Sequence, residues 1–488
     1  MGMWYNDRTG AIRAGRPARP AAQGLYQKST AWEVNAAYAS LPSLRTWYNR
    51  NRNFRKGGGK MEELTRLIRE DMKPALGVTE PGAIAFAVAS AKKHTSGEVK
   101  HVKVALNSGM YKNAFTCGIP GSARFGNLYA AALGAVAANA DKGLQSLEDI
   151  TREDDEQAAR MVEQGMVEAV LDHIGSEITI DAVVETEQDT CTVRIRGSHT
   201  NITEIEKNGV RIWSAEETAQ GKARGEEREE VPKIHKYTLH EIFTYIKKVP
   251  EEEIRFIQEA FSMNLELLEE GLESGRAVIA GQLLRENGGE RISGDCLKTA
   301  QLLCNGAIEA RVLGLSRPAM SITGSGAHGI IATMPLYACQ QVEELPEEML
   351  LRAAALSYLI TMYIKEYSGK LSAFCGCGIA AGTGMACGLA FMKGGDEKAI
   401  ERVIRNMASG LTGMICDGGN HGCAMKGIVA VDAAFRAVDL ALQGVSIEEI
   451  HGINGRTPED TMRYMGLIAS PGMTGTEKTI VEIMEQKG

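Results

Sequence analysis

The sequence predicts an α+β fold that is predominantly α-helical and carries one small antiparallel β unit. From about residue 237 onward, apolar residues recur at intervals of three and four, the period of helices with one buried face. Alternation of apolar and polar residues, typical of half-buried strands, is confined to residues 99–212. With 488 residues, 44% of them hydrophobic, the chain can bury a large core in two or more units.

The first sixty residues differ in composition from the rest. They hold eleven Lys or Arg residues against two acids, three of the four tryptophans and no cysteine. A transit peptide, a disordered basic arm and an extension upstream of a true start at Met61 are the three interpretations. Because Arg, Lys and Gly just before Met61 have purine-rich codons, as a mistranslated ribosome-binding site would, we favour the third. We expect 1–60 to be a non-native or disordered extension and exclude it from the fold.

Residues 61–213 are predicted to form a helical segment and the β unit. Helices are expected at 61–72, from near Ala83 and from about Asn127, the last two rich in small residues. Strands are expected at 99–106, 178–184, 192–196 and 202–212, and loops at 73–81, 107–113 and 117–122.

Two of these loops carry candidate functional residues. Thr79 and Glu80 stand at a helix start, where they either cap the helix or leave its N–H groups for a carboxylate ligand. Lys112 is either a solvated charge or, set between Gly109 and the Pro120–Gly121 turn, a residue that grips an anionic substrate.

The second half of the chain is predicted to be a helical region, 237–488, that carries the chemistry. The stretch 214–236 is rich in Glu, Lys and Arg and is expected to be a solvated linker. Helical periods cover 241–248, 251–271, 294–313 and 346–364.

Five of the ten cysteines fall between Ser372 and Lys426, in glycine-rich sequence. A thiolate cluster needs sulfurs from separate loops and a thin backbone, which glycine supplies. Asp396 is expected to cap a helix that returns the second cysteine group to the first. We therefore predict an iron–sulfur site; the candidate ligands are Cys375, Cys377, Cys416 and Cys423. A structural zinc site from the same four cysteines is the rival, and Cys387, in a helical small-residue run, is interpreted as packing.

A second glycine-rich stretch, 321–331, contains Ser325, Gly326 and His328. Gly324, Gly326 and Gly329 match a dinucleotide-binding fingerprint, but no strand–helix–strand frame surrounds them. A nicotinamide oxidoreductase is thus the weaker alternative, and a helix N-terminus that binds a carboxylate suits the context better. His328 is either a satisfied polar residue or a proton carrier.

Several classes of protein are disfavoured by composition. A net charge of −8 argues against a nucleic-acid surface. No apolar run reaches the roughly 18 residues of a membrane span. Ten cysteines without an export signal indicate a reducing cytoplasm, and a chain of this length needs no disulfide framework.

In combination, these motifs resemble the L-cysteine desulfidase family, which is related to the alpha chain of iron–sulfur L-serine dehydratases. The resemblance runs from Met61 almost to the C-terminus. It rests on Leu76-Gly-x-Thr-Glu-Pro81, Tyr111-Lys-Asn113, Ile119-Pro-Gly121, Phe374-Cys-Gly-Cys377, Ile415-Cys-Asp-Gly418, Gly422-Cys423 and Gly472-Met-Thr474. The stretch Gly326–Ile331 is also similar to the substrate loop of the serine dehydratases.

The resemblance implies a serine-dehydratase-alpha-like catalytic domain with a 4Fe–4S cluster on three cysteines and one open iron. Cys416 and Cys423 match two ligands, and the third is Cys375 or Cys377, with Cys375 favoured. The implied reaction is α,β-elimination from a small L-amino acid, giving pyruvate and ammonia with release of sulfide from L-cysteine or, next, water from L-serine. The catalytic candidates are His328, Glu80 and Lys112, and the substrate-binding candidates are Thr79, Asn113, Ser325 and Gly326.

One position departs from the family. Where its members commonly carry a cysteine implicated as the base, this chain has Val78, which cannot accept a proton. Either His328 or Glu80 replaces that base, or the activity is altered or lost. A non-catalytic iron–sulfur or zinc-binding member of the same fold is therefore the alternative, and a homo-oligomer is compatible with either reading.

Overall fold

The structure, a computed structural model, describes residues 60–215, 233–369 and 371–487. The expected N-terminal extension, apart from residue 60, and residues 216–232 of the expected charged linker lie outside this part of the chain. Within it the protein is mostly helical with two sheets, so the predicted α+β class is confirmed.

The larger sheet has six strands, which are β2 (Val99–Asn107), β3 (Val167–His173), β4 (Thr179–Thr186), β5 (Thr190–Arg196), β6 (Ile202–Lys207) and β7 (Val210–Ser214). They lie in the order β3-β2-β4-β5-β6-β7. Strands β2 and β3 run parallel, and every other neighbouring pair is antiparallel. The expected β unit is therefore present, but it is mixed because β3, which the alternation did not reveal, joins its edge.

A separate two-stranded antiparallel sheet links distant parts of the chain. Strand β1 (Lys73–Leu76) pairs with β8 (Pro318–Ser321), where a rigid turn was expected for residues 73–81. This pairing places the start of the next helix beside the glycine-rich stretch 321–331.

Seventeen α-helices are present in the described residues. In the first half they are α1 (Lys60–Asp71), α2 (Thr79–Lys92), α3 (Ser108–Ala114), α4 (Asn127–Val136) and α5 (Arg152–Glu163). The helical region contains α6 (Leu239–Lys248), α7 (Glu251–Ile254), α8 (Gln258–Glu273), α9 (Val278–Glu286), α10 (Cys296–Val312), α11 (Gly326–Val342), α12 (Glu347–Ser368), α13 (Gly382–Met392), α14 (Glu397–Leu411), α15 (Gly422–Leu442), α16 (Pro458–Leu467) and α17 (Thr474–Glu485).

Local signals explain several helix starts. The side chain of Asp396 accepts a hydrogen bond from the Ala399 amide at 2.9 Å, so the predicted cap of α14 is confirmed. Thr238 and Glu241 form a reciprocal capping box at the start of α6. Helix α3 lies where a loop was expected; its glycine and asparagine disfavour a helix, but burial of most of its side chains overrides that preference.

Two large hydrophobic cores are present in the described residues, in addition to a small one formed by Ala373, Ile480 and Met484. One joins α1 to the helical region, and the other joins α2 and α4 to the larger sheet. Helix α2 is buried on all sides because its residues are small: a Cβ at Gly134 of α4 would lie 2.8 Å from the Ala85 carbonyl oxygen. Half-buried Cys423 packs against both cores, which locates the second cysteine group at their junction.

One disulfide joins Cys296 to Cys339 and so links α10 to α11. The other eight cysteines are free thiols, including all five of the glycine-rich window. The expectation that the cysteines form no disulfide framework therefore holds for the predicted site, with a single bridge elsewhere. In the part of the chain that the structure describes, no helix is both long and apolar enough to cross a bilayer.

Candidate metal centre and active site

The two cysteine-bearing loops are hydrogen-bonded to each other. Phe374 and Ile415 form an isolated antiparallel bridge. On one side of it the Cys375 amide donates to the Met414 carbonyl at 3.1 Å, and on the other the Cys416 amide donates to the Ala373 carbonyl at 2.6 Å. This short β-like pairing brings Cys375 and Cys416 together although 41 positions separate them in the sequence.

Cys423 stands in the first turn of α15, at the end of the same loop as Cys416, and its thiol donates to the Gly418 carbonyl at 3.5 Å. Burial raises the pKa of Cys423 to about 11, and the nearby thiols of Cys416 and Cys375 add to that rise. Burial also raises the pKa of Cys416, with Cys375 again among its electrostatic neighbours. The three sulfurs therefore share one environment.

Cys377 belongs to the same loop as Cys375, but different side chains surround it. It begins a short π-helical turn, Cys377–Ala381, and its charge lies near Lys365 and Cys304. A hydrogen bond with Cys377, together with burial, raises the pKa of Cys375 well above its ordinary value. Cys387, in contrast, is completely buried in α13 within the hydrophobic core, in agreement with its interpretation as packing.

Glycine is required at two points of these loops. A Cβ at Gly376 would lie 2.6 Å from Nε2 of His328 and 3.2 Å from Cε of Lys365. Gly418 has a φ of +101°, and a Cβ there would lie 2.3 Å from the Lys112 carbonyl oxygen. The backbone between the cysteines thus carries no side chain at the two points where neighbouring groups approach it most closely.

Lys112 holds the two cysteine loops in place. Its completely buried ammonium donates to the carbonyls of Ser372 and Cys416, each at 3.0 Å, and to Oε2 of Glu477 at 2.8 Å. An ammonium has three N–H donors, so these contacts use all of them. The predicted grip on an anionic substrate needs a free donor, and in this structure Lys112 is instead a positioning residue.

Two further lysines surround the thiols. Lys426 pairs with Asp417, and its charge lowers the pKa values of Cys375, Cys416 and Cys423 against the dominant effect of burial. Burial lowers the pKa of Lys365 to about 8, while the nearby thiols of Cys416 and Cys377 oppose that shift. This cationic surrounding, with sulfurs from two separate loops, fits a group bound through negatively charged thiolates.

Glu80 and its neighbours form a second polar cluster at the start of α2. Its carboxylate accepts from Asn113 Nδ2 at 2.9 Å and from the Thr79 hydroxyl at 3.2 Å, and His199 Nε2 lies 3.9 Å away. Burial alone would raise the pKa of Glu80, but His199, Asn113 and the charge of Arg311 outweigh it and lower that pKa to about 2. Glu80 is therefore ionised. The predicted capping role is absent, because the N-cap residue of α2 is Val78.

Asn113 connects this polar cluster to the cysteines. Its Oδ1 lies 4.0 Å from the Cys416 sulfur, and its backbone carbonyl accepts from the Gly419 amide at 3.2 Å. Val78, next to Thr79, packs against the same loop: a Cβ at Gly419 would lie 3.1 Å from both of its methyl groups. Val78 thus touches the cysteine loop.

His328, in the first turn of α11, faces the first cysteine loop. Its Nδ1 lies 2.6 Å from Thr323 Oγ1, which itself donates to the Ile322 carbonyl, so Nδ1 carries the proton. Nε2, beside Gly376, is then an acceptor. Burial, together with the charges of Lys365 and Arg311, lowers the pKa of His328 to about 3, so the imidazole is neutral at physiological pH.

The N-terminus of α11 contains Ser325 and Gly326. Ser325 is the N-cap residue, yet its side chain makes no capping hydrogen bond. Arg311, at the end of α10, lies against this turn, since a Cβ at Gly326 would be 2.7 Å from its Nε. Sequence reasoning missed Arg311 and His199: a single Arg near the end of an apolar helix and a single His in a strand connection give no spacing signal.

The glycine pattern at 324–329 has a packing explanation. A Cβ at Gly329 would lie 1.9 Å from the Met320 carbonyl oxygen, so glycine lets α11 approach β8. Strand β8 pairs only with β1, antiparallel, in the described residues. The parallel frame of a dinucleotide site is therefore missing there.

Taken together, the helical fold and the converging cysteine loops define a protein with a thiol-rich candidate metal centre beside a polar cluster. The family described as "Serine dehydratase alpha chain" matches residues 141–482, most of the chain. The protein belongs to this family, and the related-family resemblance predicted from its motifs is confirmed.

Similar proteins extend over nearly the same length. A "UPF0597 protein" of Clostridium botulinum (strain Langeland) is 42% identical over 422 residues, which cover 86% of this chain and 98% of that protein. A "UPF0597 protein" of Caldanaerobacter subterraneus is 36% identical over 87% of this chain and 98% of its own. One of Clostridioides difficile is 34% identical over 86% and 98%, respectively. These names specify no substrate.

Proposed function

We propose that the protein is an iron–sulfur lyase that deaminates a small L-amino acid by α,β-elimination, with L-cysteine the first candidate substrate and L-serine the second. The observation that carries this proposal is the pairing of the two cysteine loops through Phe374 and Ile415. Membership of the serine dehydratase alpha chain family supports the lyase class. The desulfidase activity and the cluster type are our inference.

The proposed ligands of a 4Fe–4S cluster are Cys375, Cys416 and Cys423. Cys375 is preferred to Cys377 because the backbone pairing of its amide with Met414 places it directly beside the loop of Cys416. When bound, the cluster supplies a Lewis-acidic iron for the departing sulfur or oxygen.

The spacing of the sulfurs favours a cluster over zinc. Tetrahedral zinc with bonds of about 2.3 Å needs its sulfurs roughly 3.8 Å apart. Within the described residues, the one set of three candidate donor atoms that all lie within 4.8 Å of one another is Cys296, Cys339 and Glu343. Its two sulfurs are bonded to each other. No three of the four predicted cysteines lie that close together, which suits a cluster, whose irons occupy separate corners.

The surrounding side chains would position the substrate. Thr79, Glu80 and Asn113 form a hydrogen-bonded polar wall that reaches to the Cys416 sulfur, and the ionised Glu80 suits a substrate ammonium group. Ser325 and Gly326 present the first turn of α11 to a carboxylate. Lys112 acts indirectly, by holding the loops of Ser372 and Cys416.

His328 is the proposed acceptor of the Cα proton. Its Nε2 is free of a proton and faces the cysteine loop, whereas both carboxylate oxygens of Glu80 already accept hydrogen bonds. A base with a pKa of about 3 is weak, but a bound anion beside it would offset the charges of Lys365 and Arg311 and raise that pKa. Val78, at the position where the resemblance places the family's base, has no titratable group.

We also propose a cytoplasmic location and no nucleic-acid or membrane partner, from the ten cysteines and the net charge of −8. Self-association into a homo-oligomer is proposed as well. Cell fractionation and light scattering of the purified protein test these points.

The experiment is an anaerobic assay of the purified protein against L-cysteine, L-serine and other small amino acids. The proposal predicts stoichiometric pyruvate and ammonia, with sulfide from L-cysteine. Iron-loaded protein that forms no pyruvate from any of them would favour the second candidate, a non-catalytic cluster-binding protein, which the valine at position 78 supports.

A further inference from the structure

Arg311 is a buried cation without an anion in direct contact. The residue is 5% exposed, and its Nε is buried with no hydrogen-bond partner. In the described part of the chain its guanidinium forms neither a side-chain hydrogen bond nor an ion pair within 4.0 Å. Because a guanidinium stays charged and carries five donors, and because buried charges are normally paired, this arrangement indicates a missing acidic ligand.

Arg311 lies at the N-terminus of a long helix. Its Nε would be 2.7 Å and its Cδ 3.1 Å from a Cβ at Gly326, the first residue of the 17-residue helix α11. Any side chain at position 326 would displace the guanidinium. Since Ser325 does not cap this helix with its side chain, the arginine lies beside a first turn whose N–H groups have no side-chain acceptor from the N-cap residue.

The position of Arg311 is set by its neighbours rather than by a partner of its own. The Gly118 amide donates to the Val312 carbonyl at 2.9 Å, which ties the loop after Cys117 to the end of α10. The charge of Arg311 is close enough to lower the pKa values of Glu80 and His328. The arginine therefore lies within electrostatic range of both Glu80 and the imidazole proposed as proton acceptor.

We propose that Arg311 and the first turn of α11 bind the α-carboxylate of the amino-acid substrate. A planar guanidinium forms two parallel hydrogen bonds to a carboxylate, and a helix N-terminus adds partial positive charge. Glu80, on the other side, would face the α-ammonium group. The assignment to an amino acid rests on the proposed function, and it gives to Arg311 the anion-gripping role that the sequence had indicated for Lys112.

The test measures binding without turnover. L-alanine carries the α-amino and carboxylate groups but no leaving group, and L-alaninamide lacks the carboxylate charge. Titration calorimetry of the anaerobically purified protein should show tighter binding of L-alanine than of the amide. In Arg311→Met the affinity for L-alanine should fall by about 10- to 150-fold, the worth of hydrogen bonds to a charged group, and the preference over the amide should disappear.

Three comparisons keep the inference refutable. Arg311→Lys retains a charge without the fork geometry, so it should bind L-alanine with intermediate affinity. Arg285→Met, which removes an exposed arginine of α9, should bind as the wild type does. Since Arg311 forms no hydrogen bond or ion pair within the protein, and only its longer-range attraction to Glu80 is lost, the melting temperature of Arg311→Met should stay close to that of the wild type.

Wild-type affinity for L-alanine in Arg311→Met, or a wild type that binds neither compound at millimolar concentration, would overturn the inference. Its failure is distinguishable from failure of the proposed function. Arginine-dependent binding of L-alanine by a protein that forms no pyruvate from L-cysteine or L-serine would refute the lyase activity alone. Pyruvate formation with an unchanged KM in Arg311→Met would refute the carboxylate site alone.

Discussion

Removal of the Lys112 ammonium should destabilise the protein far more than loss of an equally short surface ion pair. Lys112→Met leaves the carboxylate of Glu477, a residue 4% exposed, without its partner at 2.8 Å. Breaking a buried pair from one side costs about 3–5 kcal/mol. Two carbonyls, those of Ser372 and Cys416, lose their donor as well.

Lys93 provides the matched control. It pairs with Asp141 at 2.7 Å, but the two side chains are 57% and 77% exposed. Lys93→Met should therefore cost no more than about 1 kcal/mol. Urea unfolding of anaerobic, reduced protein, followed by far-UV circular dichroism, gives both free-energy changes. Equal effects of the two substitutions would refute the structural role assigned to Lys112.

A second substitution separates the charge from the carbonyl contacts. Glu477→Leu added to Lys112→Met removes the uncompensated carboxylate, so part of the lost stability should return. The free energy of unfolding of the double variant should still be about 1–3 kcal/mol below that of the wild type, because the carbonyls of Ser372 and Cys416 still lack a donor. Since these carbonyls belong to the cysteine loops, bound iron should also fall in Lys112→Met and stay low in the double variant. Full recovery of stability and iron would show that the loops need no anchor.

Three further predictions concern single positions. Val78→Cys places a thiol against the cysteine loop and should raise sulfide release from L-cysteine, by about 100-fold if a missing base is the defect; an unchanged rate with iron retained would show that another group already acts. Cys416→Ala should lose both iron and pyruvate formation, while Cys387→Ala should keep both at a stability cost of about 1 kcal/mol; iron retained by the first variant would contradict the ligand assignment. Glu80→Gln should lower the free energy of unfolding by about 3 kcal/mol at pH 7, from the depression of the Glu80 pKa from 4.5 to about 2. Because that pKa is depressed, the difference from wild type should persist above pH 4.5 and shrink as the pH falls toward 2, and a pH-independent difference in urea unfolding would refute it.

The sequence predicted those features that local patterns encode. Asp396 caps α14 because a carboxylate before an amphipathic run satisfies free amides, and the buried side of that helix follows its three- and four-residue period. The clustering of cysteines in glycine-rich sequence likewise predicted that Cys375 and Cys416 would be neighbours. Both features could be predicted because the residues that form them stand in recognisable local sequence patterns.

Features set by tertiary contact could not be predicted in the same way. Strand β3 is a partly exposed edge strand with little alternation, and only its parallel pairing with β2 defines it. Lys112 looks like a solvated charge in sequence, but the fold buries it beside Glu477, 365 positions away. Arg311 and His199 reach the site only because the fold brings the end of α10 and a strand connection there. No local sequence pattern predicts that placement.

The central claim, that three cysteines from two paired loops hold an iron–sulfur cluster, is tested most directly by metal and acid-labile sulfide analysis of protein purified without air. The proposal predicts about four irons and as many sulfides per chain. One zinc per chain, or protein free of both metals, would contradict it.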